Sequence, residues 1–298
     1  MAQIKASDLF VQCLEEEGVK YIFGVPGEEN ADFMMSLRKS DKIEFILCRH
    51  EQAAAFMADL YGRLTGKAGV CLGTLGPGAT NLVTGVADAN MDRAPLVALI
   101  GQAGTYRLHK ESHQNMDAIA MFRPITKWAQ TIYNAGTVPE VVRKAFKVAE
   151  AEKPGACVIE LPEDIAKHMV DLKPLEPRKV RRPAADHKAI KAAVDLIAGA
   201  KTPVILAGNG CVRKRASQQL RRLAKKTGIP VVNTFMGKGA VSMDDEHCMF
   251  TIGLQGRDHV NLLIDDADVI VAAGYDLVEY APGFWNKGKP KKVIVIDF

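Results

Sequence analysis

The sequence predicts an α/β protein of two parallel-sheet domains, and three observations predict it. Short runs of β-branched and aromatic residues alternate with longer amphipathic segments along the 298 residues, the rhythm of strand and crossover helix. Glycine-rich turns stand where strands hand over to helices. Between the two halves, Lys173 to Pro183 holds three Pro, five basic residues and one Glu without apolar periodicity, the composition of a surface linker.

In chain order, Ser7 is suited to cap a helix through Glu17, Gly18 ends it, and Tyr21-Ile22-Phe23 reads as a buried strand. The next strand is Phe45 to Cys48, followed by a helix from Gln52 to Leu64 that Gly66 closes. Strand Ala68 to Gly73, a glycine-rich turn, a helix from Ala79 to Asn90 and strand Leu96 to Ile100 come next. Thr137-Val138-Pro139 opens a helix to Ala151, Pro154-Gly155 breaks it, and Ala156 to Glu160 is a further strand. These elements define a first domain over residues 1–172, a linker over 173–187 and a second domain over 188–298. The second carries strands at Pro203 to Ala207, Pro230 to Asn233, Val269 to Ala272 and Val293 to Asp297, with basic helices such as Arg213 to Lys226 between them. A chain that stops on its last strand would leave a sheet face uncovered, so this domain is expected to be a partial Rossmann-like unit that continues beyond Phe298.

Composition removes several function classes. Apolar residues are 48%, charged 25% and aromatic 6%, as in ordinary globular proteins. The 39 Lys and Arg against 35 Asp and Glu leave a dispersed charge of +4, which offers no surface for nucleic acid. No apolar run approaches the ~20 residues of a membrane span. Met1-Ala2-Gln3-Ile4-Lys5 lacks the apolar core of a signal peptide, so a cytoplasmic protein is expected. Cys13, Cys48, Cys71, Cys157, Cys211 and Cys248 form no C-x-x-C pair and read as buried free thiols, with no metal site implied. Met34-Met35 and Phe56-Met57 read as core packing, and the basic face from Arg213 to Lys226 as solvated surface.

In open α/β sheets ligands sit at the carboxyl ends of the strands, and three such turns carry unusual residues: Gly24-Val25-Pro26-Gly27, Arg49-His50-Glu51, and Thr74-Leu75-Gly76-Pro77-Gly78-Ala79-Thr80-Asn81. A Gly-Pro-Gly turn opening a helix presents bare N–H groups to a phosphate, and taken alone it is equally a tight turn without a ligand. It is not a P-loop, and neither it nor Gly208-Asn209-Gly210, with Arg213 at the third glycine, is a dinucleotide fingerprint. Glu51 by itself is a helix N-terminal acid, and His50 a packed or capping imidazole. His109 to Asp117 is either an exposed loop or a substrate-side lip.

In this order, Phe23-Gly24-Val25-Pro26-Gly27, Arg49-His50-Glu51-Gln52-Ala53-Ala54-Ala55-Phe56-Met57-Ala58 and Gly76-Pro77-Gly78-Ala79-Thr80-Asn81 closely resemble the pyrimidine-binding domain of thiamine diphosphate enzymes. Pro154-Gly155 through Leu161-Pro162-Glu163-Asp164 resembles that domain's closing strand, and Ala189 onward the family's central domain. Within the family the chain is most similar to the catabolic, flavin-independent acetolactate synthases. His113-Gln114-Asn115-Met116-Asp117, Ala120 to Lys127, Gly274 to Tyr280 and Trp285-Asn286 carry that choice.

The resemblance implies roles. Glu51 would hydrogen-bond N1′ of the cofactor's aminopyrimidine and favour the imino tautomer whose 4′ nitrogen removes the thiazolium C2 proton. Two pyruvates would then give 2-acetolactate and CO2, a product of branched-chain amino-acid biosynthesis or of fermentation. Val25, Pro26, Gly27, Thr74, Gly78 and Asn81 would line the pyrimidine, and Gln114 matches a substrate-side glutamine. Leu75, where the family commonly has a small polar residue, would make the pocket edge more apolar. Nothing resembles the family's Gly-Asp-Gly plus Asn-Asn segment for Mg²⁺ and diphosphate, so the 298-residue chain is expected to be inactive alone. Flavin-dependent relatives carry an Arg-Phe-Asp-Asp-Arg-like segment where this chain has Tyr275-Asp276-Leu277-Val278, so FAD is not expected. The family's shared cleft implies a homodimer or homotetramer. The alternatives are another thiamine diphosphate lyase or carboligase acting on a 2-keto acid or acyl-CoA, or a non-catalytic two-domain binding module. Glyoxylate carboligase is disfavoured because it resembles the family without the Glu.

Overall fold

Val70 and Leu72 belong to one hydrophobic core and Cys71 between them to another; the neighbouring strand splits the same way, with Val97 and Leu99 against Leu96, Ala98 and Ile100. A strand buried on both faces needs helices on both sides, which is the doubly wound arrangement. The computed structural model describes residues 3–178, 184–213, 216–252, 259–287 and 290–298. The chain divides into two compact units, Met1–Val180 and Arg181–Phe298. Residues 179–183 of the expected linker, and Lys214 and Arg215 of the expected basic helix, lie outside the described residues.

The first unit runs β1 (Ile4–Lys5), α1 (Ala6–Glu16), β2 (Tyr21–Gly24), α2 (Ala31–Leu37), β3 (Glu44–Leu47), α3 (Glu51–Thr65), β4 (Gly69–Gly73), α4 (Pro77–Met91), β5 (Leu96–Gln102), α5 (Ala118–Phe122), β6 (Trp128–Thr131), α6 (Val138–Glu150), β7 (Ala156–Pro162), α7 (Glu163–Lys167) and β8 (Met169–Val170). Its six-stranded parallel sheet has the order β3-β2-β4-β5-β7-β6. Helices α1 and α6 cover one face through Leu9, Phe10, Leu14, Val142 and Phe146. Helices α3 and α4 cover the other through Ala54, Ala58, Leu82 and Val86. The antiparallel pair β1–β8, Ile4 opposite Val170, joins the two ends of the unit.

Two local expectations are corrected. Ser7 does not cap α1: it lies inside the helix, fully buried, and its hydroxyl accepts from Ser36 Oγ at 2.9 Å, while Lys5 stands at the boundary position without a side-chain cap bond. Phe56 and Met57 are exposed rather than core, because the alanines of α3 take the sheet-facing side and leave Phe56, Leu60 and Leu64 on the outer one; Met35, on α2, is exposed as well. Met34 packs partly against the core as expected. All six cysteines are free and buried, and burial pushes the Cys13 and Cys157 thiols up to about 12, Cys211 up to about 11, and Cys48 and Cys71 upward as well. Among the described residues no helix is long and apolar enough to cross a membrane.

Arg63 fastens α3 to the end of α4. Its Nε donates to both Asp59 oxygens at 2.9 and 3.0 Å, and its other nitrogens donate to Asp88 at 2.9 Å and Asp92 at 2.8 Å. Burial nonetheless pushes the Asp59 carboxyl from 3.8 up to about 6, against the pull of Arg63. A carboxyl raised on folding contributes stability that is complete below its unfolded value and is lost as pH rises through the folded one. Thermal melts should therefore show wild type losing stability relative to Asp59→Asn between about pH 4 and pH 6. An unchanged difference across that window would contradict the burial assigned to Asp59.

The second unit comprises α8 (His187–Ala198), β9 (Pro203–Ala207), α9 (Ala216–Thr227), β10 (Val231–Asn233), β11 (Cys248–Thr251), α10 (His259–Asp266), β12 (Val269–Ala273), α11 (Pro282–Trp285) and β13 (Lys292–Ile296). Its sheet is wholly parallel, order β11-β10-β9-β12-β13. The order reverses direction between β9 and β12, which is the switch point of a Rossmann-like unit.

Candidate active site

Because β3, β2 and β4 are neighbours in a parallel sheet, the turns that follow them emerge side by side. His50-Glu51 follows β3, Val25-Pro26-Gly27 follows β2, and Thr74 to Gly78 follows β4. Glu51 is the first residue of α3, where the partial positive charge of the helix end favours a carboxylate. His50 is the capping residue, its Nδ1 accepting from the Gln52 N–H at 3.1 Å, one of the two bland roles open to it.

The Glu51 carboxylate is buried, 8% exposed. Its Oε2 accepts from Asn81 Nδ2 at 2.9 Å; among the described residues its Oε1 has no hydrogen-bond partner. A Cβ built on Gly78 would stand 3.4 Å from that Oε1 and 2.8 Å from Thr74 Cγ2. A Cβ on Gly27 would stand 2.5 Å from Thr74 Cβ. Glu51, Asn81, Gly78, Thr74 and Gly27 thus form one small cradle of bare backbone around a carboxylate. Val25 is half-buried against the core between the sheet and α3–α4, and Pro26 is exposed on the same turn. Leu75, expected at the pocket edge, is buried, 1% exposed.

Gln114 packs against the turn that opens α4. Gly76 sits at φ +52° as the N-terminal boundary of α4, and a Cβ there would lie 2.8 Å from both the Cβ and the carbonyl oxygen of Gln114. Gln114 is itself exposed at φ +55°, and its side chain makes no hydrogen bond to the carboxylate cluster among the described residues. The segment from His109 to Gln114 is largely exposed, while Asp117 caps α5 through the Ala120 N–H at 2.8 Å.

Two buried groups at this end of the sheet carry no sequence signal. Glu29, in the one-turn helix after Gly27, accepts from Thr74 Oγ1 at 3.1 Å; nothing in its spacing separates it from the exposed Glu28 beside it. Glu160, at the end of β7, accepts from Thr131 Oγ1 at 2.5 Å and Gln102 Nε2 at 2.9 Å. Burial outweighs those bonds and raises the Glu160 carboxyl. Gln102 Nε2 also donates to the Met116 carbonyl at 3.1 Å, which ties the segment bearing Gln114 to the sheet. No group of three or more His, Cys, Asp or Glu among the described residues is placed to hold a metal ion.

Residues 4–121 match the model of the thiamine pyrophosphate enzyme N-terminal TPP-binding domain, and residues 190–298 that of the central domain. The chain is 40% identical over 296 residues to an acetolactate synthase of Bacillus subtilis (strain 168), covering 98% of this chain and 52% of that protein. It is 40% identical over 302 residues to a probable acetolactate synthase large subunit of Methanocaldococcus jannaschii, covering 99% and 51%. A glyoxylate carboligase of Escherichia coli O157:H7 is 35% identical over 302 residues, covering 100% and 51%. The chain spans about half the length of the curated relatives it matches.

Proposed function

Since the chain belongs to the thiamine pyrophosphate enzyme family and carries its N-terminal and central domains, we propose that its gene product is an acetolactate synthase, joining two pyruvates into 2-acetolactate with loss of CO2. The observation that carries the reading is the Glu51 cradle, a buried carboxylate with one oxygen bonded to Asn81 and the other, among the described residues, without a hydrogen-bond partner beside Gly78. An aminopyrimidine ring nitrogen needs a carboxyl group with which it can share a proton, and a narrow slot beside it, and the Glu51 carboxyl between Asn81, Gly78 and Thr74 fits that need. When bound, thiamine diphosphate supplies a carbon nucleophile and an electron sink for decarboxylation.

In this reading the residues of the chain divide the work. Glu51 holds or accepts a proton at the ring nitrogen, with Asn81 fixing the orientation of its carboxylate. Gly27, Thr74 and Gly78, with Val25 and Pro26, bound the ring and exclude water from it. Gln114 stands on the substrate side, its segment held by Gln102 and Glu160. Mg²⁺ and the diphosphate would be held by residues outside this chain, which would leave the 298 residues inactive by themselves. The exposed outer face of α3, with Phe56, Leu60 and Leu64, supports a homodimer or homotetramer in which a second copy covers it. The protein would act in the cytoplasm, without FAD.

Assay of the complete gene product with pyruvate, thiamine diphosphate and Mg²⁺, without FAD, is expected to yield acetolactate and CO2. CO2 without acetolactate, or no turnover of pyruvate, would overturn the synthase reading. The similarity to a glyoxylate carboligase favours glyoxylate as the second 2-keto acid to supply. Faster turnover of glyoxylate than of pyruvate would move the assignment to that reaction within the family.

A further inference from the structure

The switch point of the second unit, between β9 and β12, is where a parallel α/β sheet ordinarily receives the phosphates of a nucleotide, on the N–H groups of a glycine-rich turn. The turn is present here as Gly208-Asn209-Gly210, and its N–H groups are already taken. The Asn209 N–H donates to both oxygens of Glu279, at 3.0 and 3.2 Å. The Asp276 N–H, in the turn after β12, donates to Glu279 Oε1 at 2.9 Å. The Thr234 hydroxyl, in the turn after β10, donates to Glu279 Oε2. One carboxylate therefore collects donors from three adjacent strand ends, the coordination a phosphate would receive.

The glycines are occupied in the same way. A Cβ on Gly208 would lie 2.5 Å from the Tyr275 Cα, and one on Gly210 would lie 2.6 Å from the Gly274 Cα. The Gly210 N–H donates to the Gly274 carbonyl at 2.7 Å and the Gly208 N–H to the Ala273 carbonyl at 2.9 Å. In a dinucleotide fingerprint the second glycine lets a pyrophosphate approach the backbone. In this chain the bare backbone is used to admit the neighbouring turn instead. Glu279 is supplied by the bend Tyr275 to Tyr280, which is braced by Trp285 Nε1 donating to the Tyr275 hydroxyl and the Tyr280 carbonyl, each at 3.1 Å.

From this geometry we infer that Glu279 is an internal anion that fills the phosphate position of the second unit and bolts its three strand-end turns together, so that the unit takes no nucleotide diphosphate there. The inference rests on the second unit alone and stands whether or not the gene product makes acetolactate.

The test uses the complete gene product as wild type, Glu279→Ala and Glu279→Gln, followed by hydrogen exchange of peptides covering residues 208–212 and 274–279. Wild type is expected to be protected at both segments and to be indifferent to inorganic phosphate relative to chloride at equal ionic strength. Glu279→Ala is expected to lose protection there by about tenfold or more, and phosphate, not chloride, is expected to restore part of it. Glu279→Gln, which keeps the shape and one acceptor oxygen, is expected to show a smaller loss and serves where the alanine variant does not fold. Saturable binding of ADP or FAD by wild type would overturn the inference. So would unchanged protection in the variants, or a loss that phosphate and chloride repair equally.

Discussion

Glu51→Gln in the complete gene product is expected to lower turnover of pyruvate by about 10²- to 10⁴-fold, the usual weight of a positioned proton-transfer group, with melting temperature little changed. The glutamine carbonyl can still accept from Asn81 as Glu51 Oε2 does at 2.9 Å, and the helix N-terminus remains capped by His50. What the amide cannot do is hold and release a proton on its free side, where Oε1 faces the Gly78 wall. Steady-state kinetics with added thiamine diphosphate, beside a thermal melt, separates the two effects. A loss below tenfold would remove Glu51 from the chemistry, and an equal collapse of the melt would make it structural.

Gly69→Ala is expected to produce the largest loss of stability, about 3 kcal/mol, at the upper end of the cost of overpacking a core. A Cβ at Gly69 would stand 1.9 Å from the Ala58 carbonyl oxygen and 2.7 Å from its carbonyl carbon. Both are backbone atoms of α3, so no rotamer change relieves the contact; the helix must lift from the sheet. Because Glu51 is the first residue of that helix, the same substitution is expected to impair cofactor binding, unlike an ordinary destabilising change. Denaturant unfolding of Gly69→Ala beside Gly283→Ala, where a Cβ meets nothing within 4 Å, checks it. Equal stability of the two variants would refute the packing argument.

The parts of the fold that were legible in the sequence are those with strong local signals. Helix α3 is bounded by its acidic first turn and by Gly66 in the left-handed conformation, and the strands over Gly69–Gly73 and Leu96–Gly101 are continuous runs without a polar side chain, buried at every position. The missed elements depend on partners distant in sequence. Trp128–Thr131 becomes a strand by pairing at the outer edge of β7, half-buried and without alternation. Cys248–Thr251 is likewise an edge strand, irregular at Phe250 with φ +64°, and α2 is only seven residues long. At the site, the turns that hold Gly27 and Gly78 were legible because glycine and proline mark turns directly, whereas the roles given to Thr74 and Asn81 came from the family resemblance alone. Glu29, Glu160 and Glu279 were not, because a carboxylate's burial is decided by which hydroxyl or N–H the fold brings to it.

The six sheltered thiols have a practical consequence. Maleimide labelling needs an accessible thiolate, and every native cysteine of this chain is buried, five of them with thiols driven upward by burial. Cysteines introduced at Tyr133 and Leu262, both exposed, would therefore outpace the native six without any of them being replaced. A dye on either position would then report on its own unit alone, with every native thiol left in place.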